Sequence, residues 1–313
     1  MKKKAKIIFM GTPEFAVPAL KSLYKNNRNV ALVVTQPDRP KGRGRKIIPP
    51  PVKKAAISLG CEVDQPASVR TVEFENRIAN HKPDIIVVVA FGHIIPKNIL
   101  EIPKIAAINI HASLLPKYRG PAPIQWAIIN GETETGVTTM LMDEGLDTGD
   151  ILLTSKIKIF SDDTSGTLHD RLANLSADVL IQTIERIESG DITPISQDHA
   201  QATYAPLLKK NDGHMNWEMP ARTLEAFVRG MTPWPGAFTF HGKKRLKIFK
   251  AMPMIIDTVE PPGTVIKRFP DELCVAAGKG ALSVIEIQGE SGKRLLIKEF
   301  LQGYKIVPGT ILS

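Results

Sequence analysis

The sequence predicts an α/β chain whose mostly parallel sheet is followed by a small β-barrel. Three observations carry that expectation. Strand-like apolar runs alternate with helical stretches through residue 189. One run, PDIIVVVA (83–90), is continuously apolar, the texture of a strand covered on both faces. Beyond about residue 190, short β-rich segments are punctuated by Gly and Pro at close intervals.

Taken in order, KIIFMG (6–11) reads as a buried strand ended by Gly11, and Thr12-Pro13 opens a helix running to about Asn26. NVALVVTQ (29–36) is a second strand, VKKAAISLG (52–60) a helix, CEVDQP (61–66) a short third strand and FENRIANHK (74–82) helical. Strands are then expected at 83–90, AAINIHA (106–112), GVTTMLM (136–142) and ILLTSKIKI (151–159). Leu168, Leu172, Leu175, Val179, Ile184 and Ile187 keep helical spacing across 164–189. Such alternation implies a parallel sheet. GDITPISQDHAQATYAP (190–206) has no firm period and reads as linker. A helix over 220–231 precedes four short β-like runs, FTFHGKKRLKIFKA, GTVIKRF, ELCVAAGKGALSVIEIQ and KRLLIKEFL. The expected division is therefore 1–190 for the α/β domain, 191–208 for the linker and 209–313 for the barrel domain.

A chain of 313 residues fits two domains, and its 43% hydrophobic share is ordinary for a globular protein. No apolar run approaches the roughly 20 residues of a membrane span. The start, MKKKAKIIFMGTPEF, has a charged front but only a brief apolar part before Gly11, too short for an export signal. Cys61 and Cys274 are the only cysteines, which suggests neither a disulfide framework nor structural zinc. A cytoplasmic protein is expected. Charge is unevenly placed: residues 1–54 carry a net +12, residues 55–208 a net −9 and residues 209–313 a net +6. Two basic segments flanking an acidic middle fit a polyanion held by both ends of the chain, although solvated lysines would look the same.

Chemistry is concentrated in three places. In NIHASLLPKYRG (109–120), Asn109 and His111 share one face of a strand that breaks into a Pro- and Gly-containing loop. Ligands of open α/β sheets sit beyond the carboxyl ends of the strands, so this pair is placed to face a cleft. A core histidine satisfied by a carbonyl is the competing reading. In DEGLDTGDI (143–151), two glycines bracket Asp147; the spacing is not a calcium loop, and an Asp near His111 would orient the ring. Most of these carboxylates fit an ordinary acidic turn. In TQPDRPKGRGRKIIPPPVKK (35–54), Arg39, Lys41, Arg43, Arg45 and Lys46 crowd a Gly-interrupted loop that suits a phosphate backbone. The chain has neither a Walker loop nor a GxGxxG after its first strand, which argues against a nicotinamide enzyme.

GTPEFAVPAL, QPDRPKGRGRK, the long block from Asn109 to Leu152, TYAPLLKKNDGHMNW and PWPGAF together resemble the methionyl-tRNA formyltransferase family over nearly the whole chain. The resemblance implies a Rossmann-like N-terminal formyltransferase domain and an OB-like C-terminal domain that binds tRNA. It implies 10-formyltetrahydrofolate as formyl donor, no metal, initiator methionyl-tRNA as acceptor, no membrane partner and a monomer. By position, the family's catalytic residues fall on Asn109, His111 and Asp147. Its folate contacts fall on Ser113, Leu114, Leu115 and Pro116, and its tRNA loop on residues 38–46, with Arg43 nearest the acceptor end. Two departures stand out: Leu207 occupies a position where the family usually has Lys, and Asn216 replaces an Asp. They bear on tRNA docking rather than on the reaction. Other formyl-folate enzymes acting on sugar nucleotides, glycinamide ribonucleotide or water are the nearest rivals, and they lack the basic loop. A non-catalytic RNA-binding module is the rival of another class.

Overall fold

The chain has the α/β-plus-barrel architecture, described in a computed structural model for residues 4–41, 46–266, 271–290 and 292–313. Two units are recognised: one comprises residues up to Gly120 with Glu134–Ile157 and His169–Ala205, the other Pro121–Thr133, Lys158–Leu168 and Pro206–Ser313.

The first unit begins with β1 (Lys6–Gly11) and α1 (Val17–Lys25), then β2 (Asn29–Val34). A two-stranded antiparallel ribbon follows, β3 (Arg39–Lys41) against β4 (Lys46–Ile48), with Arg39 opposite Ile48. The stretch expected as a loop thus has ends that pair with each other. Next come α2 (Pro51–Ser58), β5 (Val63–Asp64), α3 (Val72–Asn80), β6 (Ile85–Val89), α4 (Lys97–Leu100) and β7 (Ala106–His111). Helix α5 (Pro123–Ile129) belongs to the second unit, and β8 (Glu134–Leu141), β9 (Ile151–Lys158) and α6 (Ser165–Ser189) return the chain to the first.

The sheet order is β5-β2-β1-β6-β7-β8-β9. Strands β2, β1, β6 and β7 run parallel, whereas β7 and β8 are antiparallel, so the sheet is mostly parallel. Every residue of β6 is buried, as its unbroken apolar sequence requires of a central strand covered on both faces. Ile8, Met10, Val34, Ile86 and Val88 build one face of the core with Phe74 and Ile78 of α3.

The second unit holds α5, α7 (Ala221–Met231) and an antiparallel sheet of β10 (Ala237–His241), β11 (Lys244–Met254), β12 (Val265–Ile266), β13 (Leu273–Ala276), β14 (Ala281–Gln288) and β15 (Leu295–Leu296). The order is β10-β11-β14-β13-β12, with β15 on β14. The last residues close this sheet. Phe240 of β10 exchanges backbone hydrogen bonds with Ser313 (2.6 and 3.0 Å), while Val265 of β12 donates to Thr310 and Leu312 donates to Gly263 (both 2.8 Å). Both edge strands are thereby covered, which removes the exposed edges an open sheet would have. KRLLIKEFL is only briefly a strand: Ile297–Gly303 forms helix α8, because Ile297 and Phe300 sit three apart and are both buried. Proline at its first turn likewise starts α5, a helix not expected from the sequence.

Candidate active site

Asn109 is the fourth and His111 the last of the six residues of β7, the strand between β6 and β8: Asn109 pairs with Val88 and Met140, and His111 with Thr138. The loop that follows is fixed by hydrogen bonds. Thr138 Oγ1 accepts the Leu115 N–H (3.2 Å) and donates to the Ser113 carbonyl (2.7 Å). The Ser113 hydroxyl donates to the Lys117 carbonyl (2.6 Å), and the Tyr118 N–H to Thr203 Oγ1 (2.8 Å). Tyr118 itself has φ +60°, which turns its carbonyl back onto His111 Nε2 at 2.8 Å.

That contact assigns the imidazole. A carbonyl can only accept, so Nε2 carries a proton and Nδ1 is the nitrogen facing Asp147 Oδ2, 3.6 Å away. The ring is 6% exposed. Asp147 Oδ2 also accepts the Gly120 N–H at 2.8 Å, and Oδ1 lies 3.4 Å from the Asn109 amide nitrogen, which donates to it. The three side chains therefore meet around one carboxylate. The His111 Nε2 is satisfied by a carbonyl, as in a core histidine, while Nδ1 is directed at the Asp147 carboxylate.

The acidic loop is built to hold that carboxylate. Asp147 has φ +53°, a left-handed backbone that a non-glycine residue adopts at some strain. Gly149 has no alternative: a Cβ there would lie 1.8 Å from the Leu141 carbonyl oxygen. Asp143 closes the turn by accepting from Thr148 Oγ1 (2.8 Å) and the Gly145 N–H (3.0 Å), and Asp150 accepts from Ser196 (2.9 Å). Glu144 is exposed. Of four carboxylates, only Asp147 faces the histidine.

The remaining residues singled out in the sequence are placed differently. Ser113 and Leu115 are buried, whereas Leu114 and Pro116 are half-buried and leave a surface. Arg39 is exposed on the ribbon. Arg43 and Arg45 lie outside the described residues, as do the side chains of Lys41 and Lys46. The ribbon's root is anchored by Asp38, whose carboxylate accepts from Lys53 Nζ (2.9 and 2.8 Å) and Gln65 Nε2 (2.7 Å). Hydrogen bonds from Lys53, then Gln65, hold the Asp38 carboxyl below the usual carboxylate range.

The sequence reading missed the loop after β6. Its signal is Gly92 and His93, which come three and four residues after the wholly apolar strand beside β7. Ala90 and Gly92 have φ of +45° and +81°. Thr12 Oγ1 (2.9 Å) and Gln36 Nε2 (3.1 Å) both donate to the Phe91 carbonyl, tying the ends of β1, β2 and β6 together. Ile94 on this loop and Leu146 beside Asp147 are exposed apolar side chains. Among the described residues no cluster of His, Cys, Asp and Glu could hold a metal ion.

An acid–amide–imidazole set thus lies at the carboxyl end of a mostly parallel α/β sheet. Residues 4–184 match the family described as Formyl transferase, and residues 207–305 its C-terminal domain. The chain is 51% identical over 309 residues to the methionyl-tRNA formyltransferase of Caldanaerobacter subterraneus subsp. tengcongensis, covering 98% of this chain and 100% of that one. It is 51% identical over 311 residues to the methionyl-tRNA formyltransferase of Desulfotalea psychrophila, covering 99% and 96% respectively. In fold it is similar to the N-formyltransferase of Helicobacter canadensis solved with folinic acid and dTDP-3-aminofucose, with TM-score 0.68, 20% identity and coverage of 91% of this chain and 100% of that one. The chain belongs to the methionyl-tRNA formyltransferase family, whose members are formyl-group transferases.

Proposed function

We propose that the protein moves the formyl group of 10-formyltetrahydrofolate onto the α-amino group of methionine esterified to initiator tRNA. The observation that supports this most is the meeting of Asn109, His111 and Asp147 on one carboxylate at the end of β7. An α-amino group has a reference pKa of about 7.7–8.0, so part of it is neutral and nucleophilic near neutral pH. Its nitrogen attacks the formyl carbon, and the carbonyl electrons move onto oxygen. Asn109 supplies an amide N–H to that oxyanion. His111, with protons on both ring nitrogens, donates from Nδ1, since Nε2 is committed to Tyr118. Asp147 accepts the amine proton; collapse of the intermediate breaks the bond to N10, which takes that proton from Asp147 and leaves as tetrahydrofolate. The long Asn109 and His111 contacts to Asp147 are those expected to tighten around substrate.

Leu114 and Pro116, with Ile94 and Leu146 on neighbouring loops, offer apolar surface suited to the flat ring system of a folate. Ser113 and Leu115 would act by shaping that wall from beneath. The segment carrying Arg39, Lys41, Arg43, Arg45 and Lys46, and the basic residues of 209–313, supply cations for the tRNA backbone. The reading carries with it a cytoplasmic monomer. Among the described residues no helix is long and apolar enough to cross a membrane.

A single-turnover formylation assay tests the proposal, with charged initiator tRNA, charged elongator tRNA and an amino-sugar nucleotide as acceptors. Transfer to initiator methionyl-tRNA in clear preference to the other two is expected. Preference for the amino sugar would overturn it.

A further inference from the structure

Arg119 is a buried cation, 2% exposed, that the reaction above does not use. It donates from Nε (3.1 Å) and Nη2 (2.7 Å) to the side-chain oxygen of Gln197, and Nη2 lies 3.1 Å from His199 Nδ1. Because a guanidinium only donates, the Gln197 oxygen must face it, and this turns the Gln197 amide nitrogen the other way. There Nε2 donates to the backbone carbonyls of Asp147 (2.9 Å) and Gly149 (2.7 Å). Gln197 is itself only 6% exposed.

The segment carrying Gln197 is threaded into the site rather than strung past it. Ile195 exchanges backbone hydrogen bonds with Ile151 (2.8 and 2.9 Å). Arg119 donates its N–H to Thr203 and accepts from Ala205, both at 2.8 Å. Residues 195–205 thus grip the Asp147 loop at one end and the 118–120 loop at the other. Those are the two loops that supply the Asp147 carboxylate and its Gly120 donor. Two hydrogen bonds from one side chain, on either side of Thr148, resist relaxation of the left-handed Asp147 backbone.

We propose that Gln197, oriented by buried Arg119, is the positioning residue that holds Asp147 against His111. The inference rests on the catalytic reading given above for Asp147. The test measures the single-turnover transfer rate and the tRNA KM for Gln197→Met and Gln197→Glu, each in the parent and in an Asp147→Ala background. Gln197→Glu keeps an acceptor for Arg119 but cannot donate to the two carbonyls, so it separates folding from positioning. Both variants should slow transfer by up to about 10²-fold, the effect of a small misplacement of a catalytic group, with tRNA KM unchanged. In the Asp147→Ala background the same substitutions should cost less than about twofold further, since residues acting as one unit are not additive. Equal losses in both backgrounds, or full activity of Gln197→Glu in the parent, would overturn the positioning role while leaving Asp147 catalytic. If Asp147→Ala alone leaves transfer intact, the catalytic reading fails, and that result is visible without any Gln197 variant.

Discussion

The loop DEGLDTGD and the segment RPKGRGRK are both glycine-interrupted runs of one charge, yet the first and the root of the second use their carboxylates in opposite ways. In the first, Asp143 accepts from Thr148 and Gly145, Asp150 from Ser196, and Asp147 from Gly120 and Asn109, so charge is spent on fixing backbone. In the second, the ion pair sits at the root, Asp38 with Lys53, and Arg39 on the ribbon is exposed. The contrast follows from what each has to do. A proton acceptor works only within hydrogen-bond reach of its partners, so its loop must be rigid. Attraction to a polyphosphate is long-range and forgiving, so cations on a short ribbon suffice.

The comparison can be broken most sharply at the rigid loop. Asn109→Ala and His111→Ala should each slow the chemical step by about 10²–10³, the usual loss for one donor to an oxyanion, and Asp147→Ala by about 10²–10⁴, the usual loss for a general base, with tRNA affinity preserved. Rapid-quench kinetics beside an equilibrium tRNA titration would show it, and near-parent rates in all three would remove this site. Gly149→Ala should act at a distance from substrate: a methyl group 1.8 Å from the Leu141 carbonyl forces the loop to move, with a loss of up to about 10² in turnover. Gly60, which has open space around its Cβ position, is the matched control and should lose only stability.

The basic segment should respond in the other currency. Arg43→Glu is expected to weaken tRNA binding and to lower the salt dependence of log Kd by about one unit, while folate affinity stays as it was. An unchanged salt slope would separate Arg43 from tRNA binding. Asp38→Asn is the mildest change, loosening the ribbon's root and weakening tRNA less than Arg43→Glu does. Its sign with pH is fixed by the lowered Asp38 carboxyl: the ionised form stabilises fully above the unfolded value of about 4 and fades as pH falls through the lower folded one. Parent and variant should therefore converge in acid.

Much of the first unit was legible because its signals are local. The unbroken apolar run of β6 and the shared face of Asn109 and His111 follow from a two-residue period alone. What could not be read depends on distant partners. Nothing in GTILS shows that Ser313 and Thr310 will bond to Phe240 and Val265 and close a barrel. QDHAQAT lacks periodicity because its groups are committed one by one to Arg119, Asp147 and Gly149, not because it is idle chain. Loop 90–96 was passed over since its donors come from Thr12 and Gln36, far away in sequence.

The central claim is that Nδ1 of His111 answers to Asp147 while Nε2 answers to the Tyr118 carbonyl. Nitrogen-15 NMR of protein labelled at histidine, in the parent and in Asp147→Asn, measures this directly. The account predicts a protonated, exchange-protected Nε2 in both proteins and a His111 Nδ1 resonance that moves when the carboxylate is replaced. An Nδ1 signal indifferent to residue 147 would contradict it.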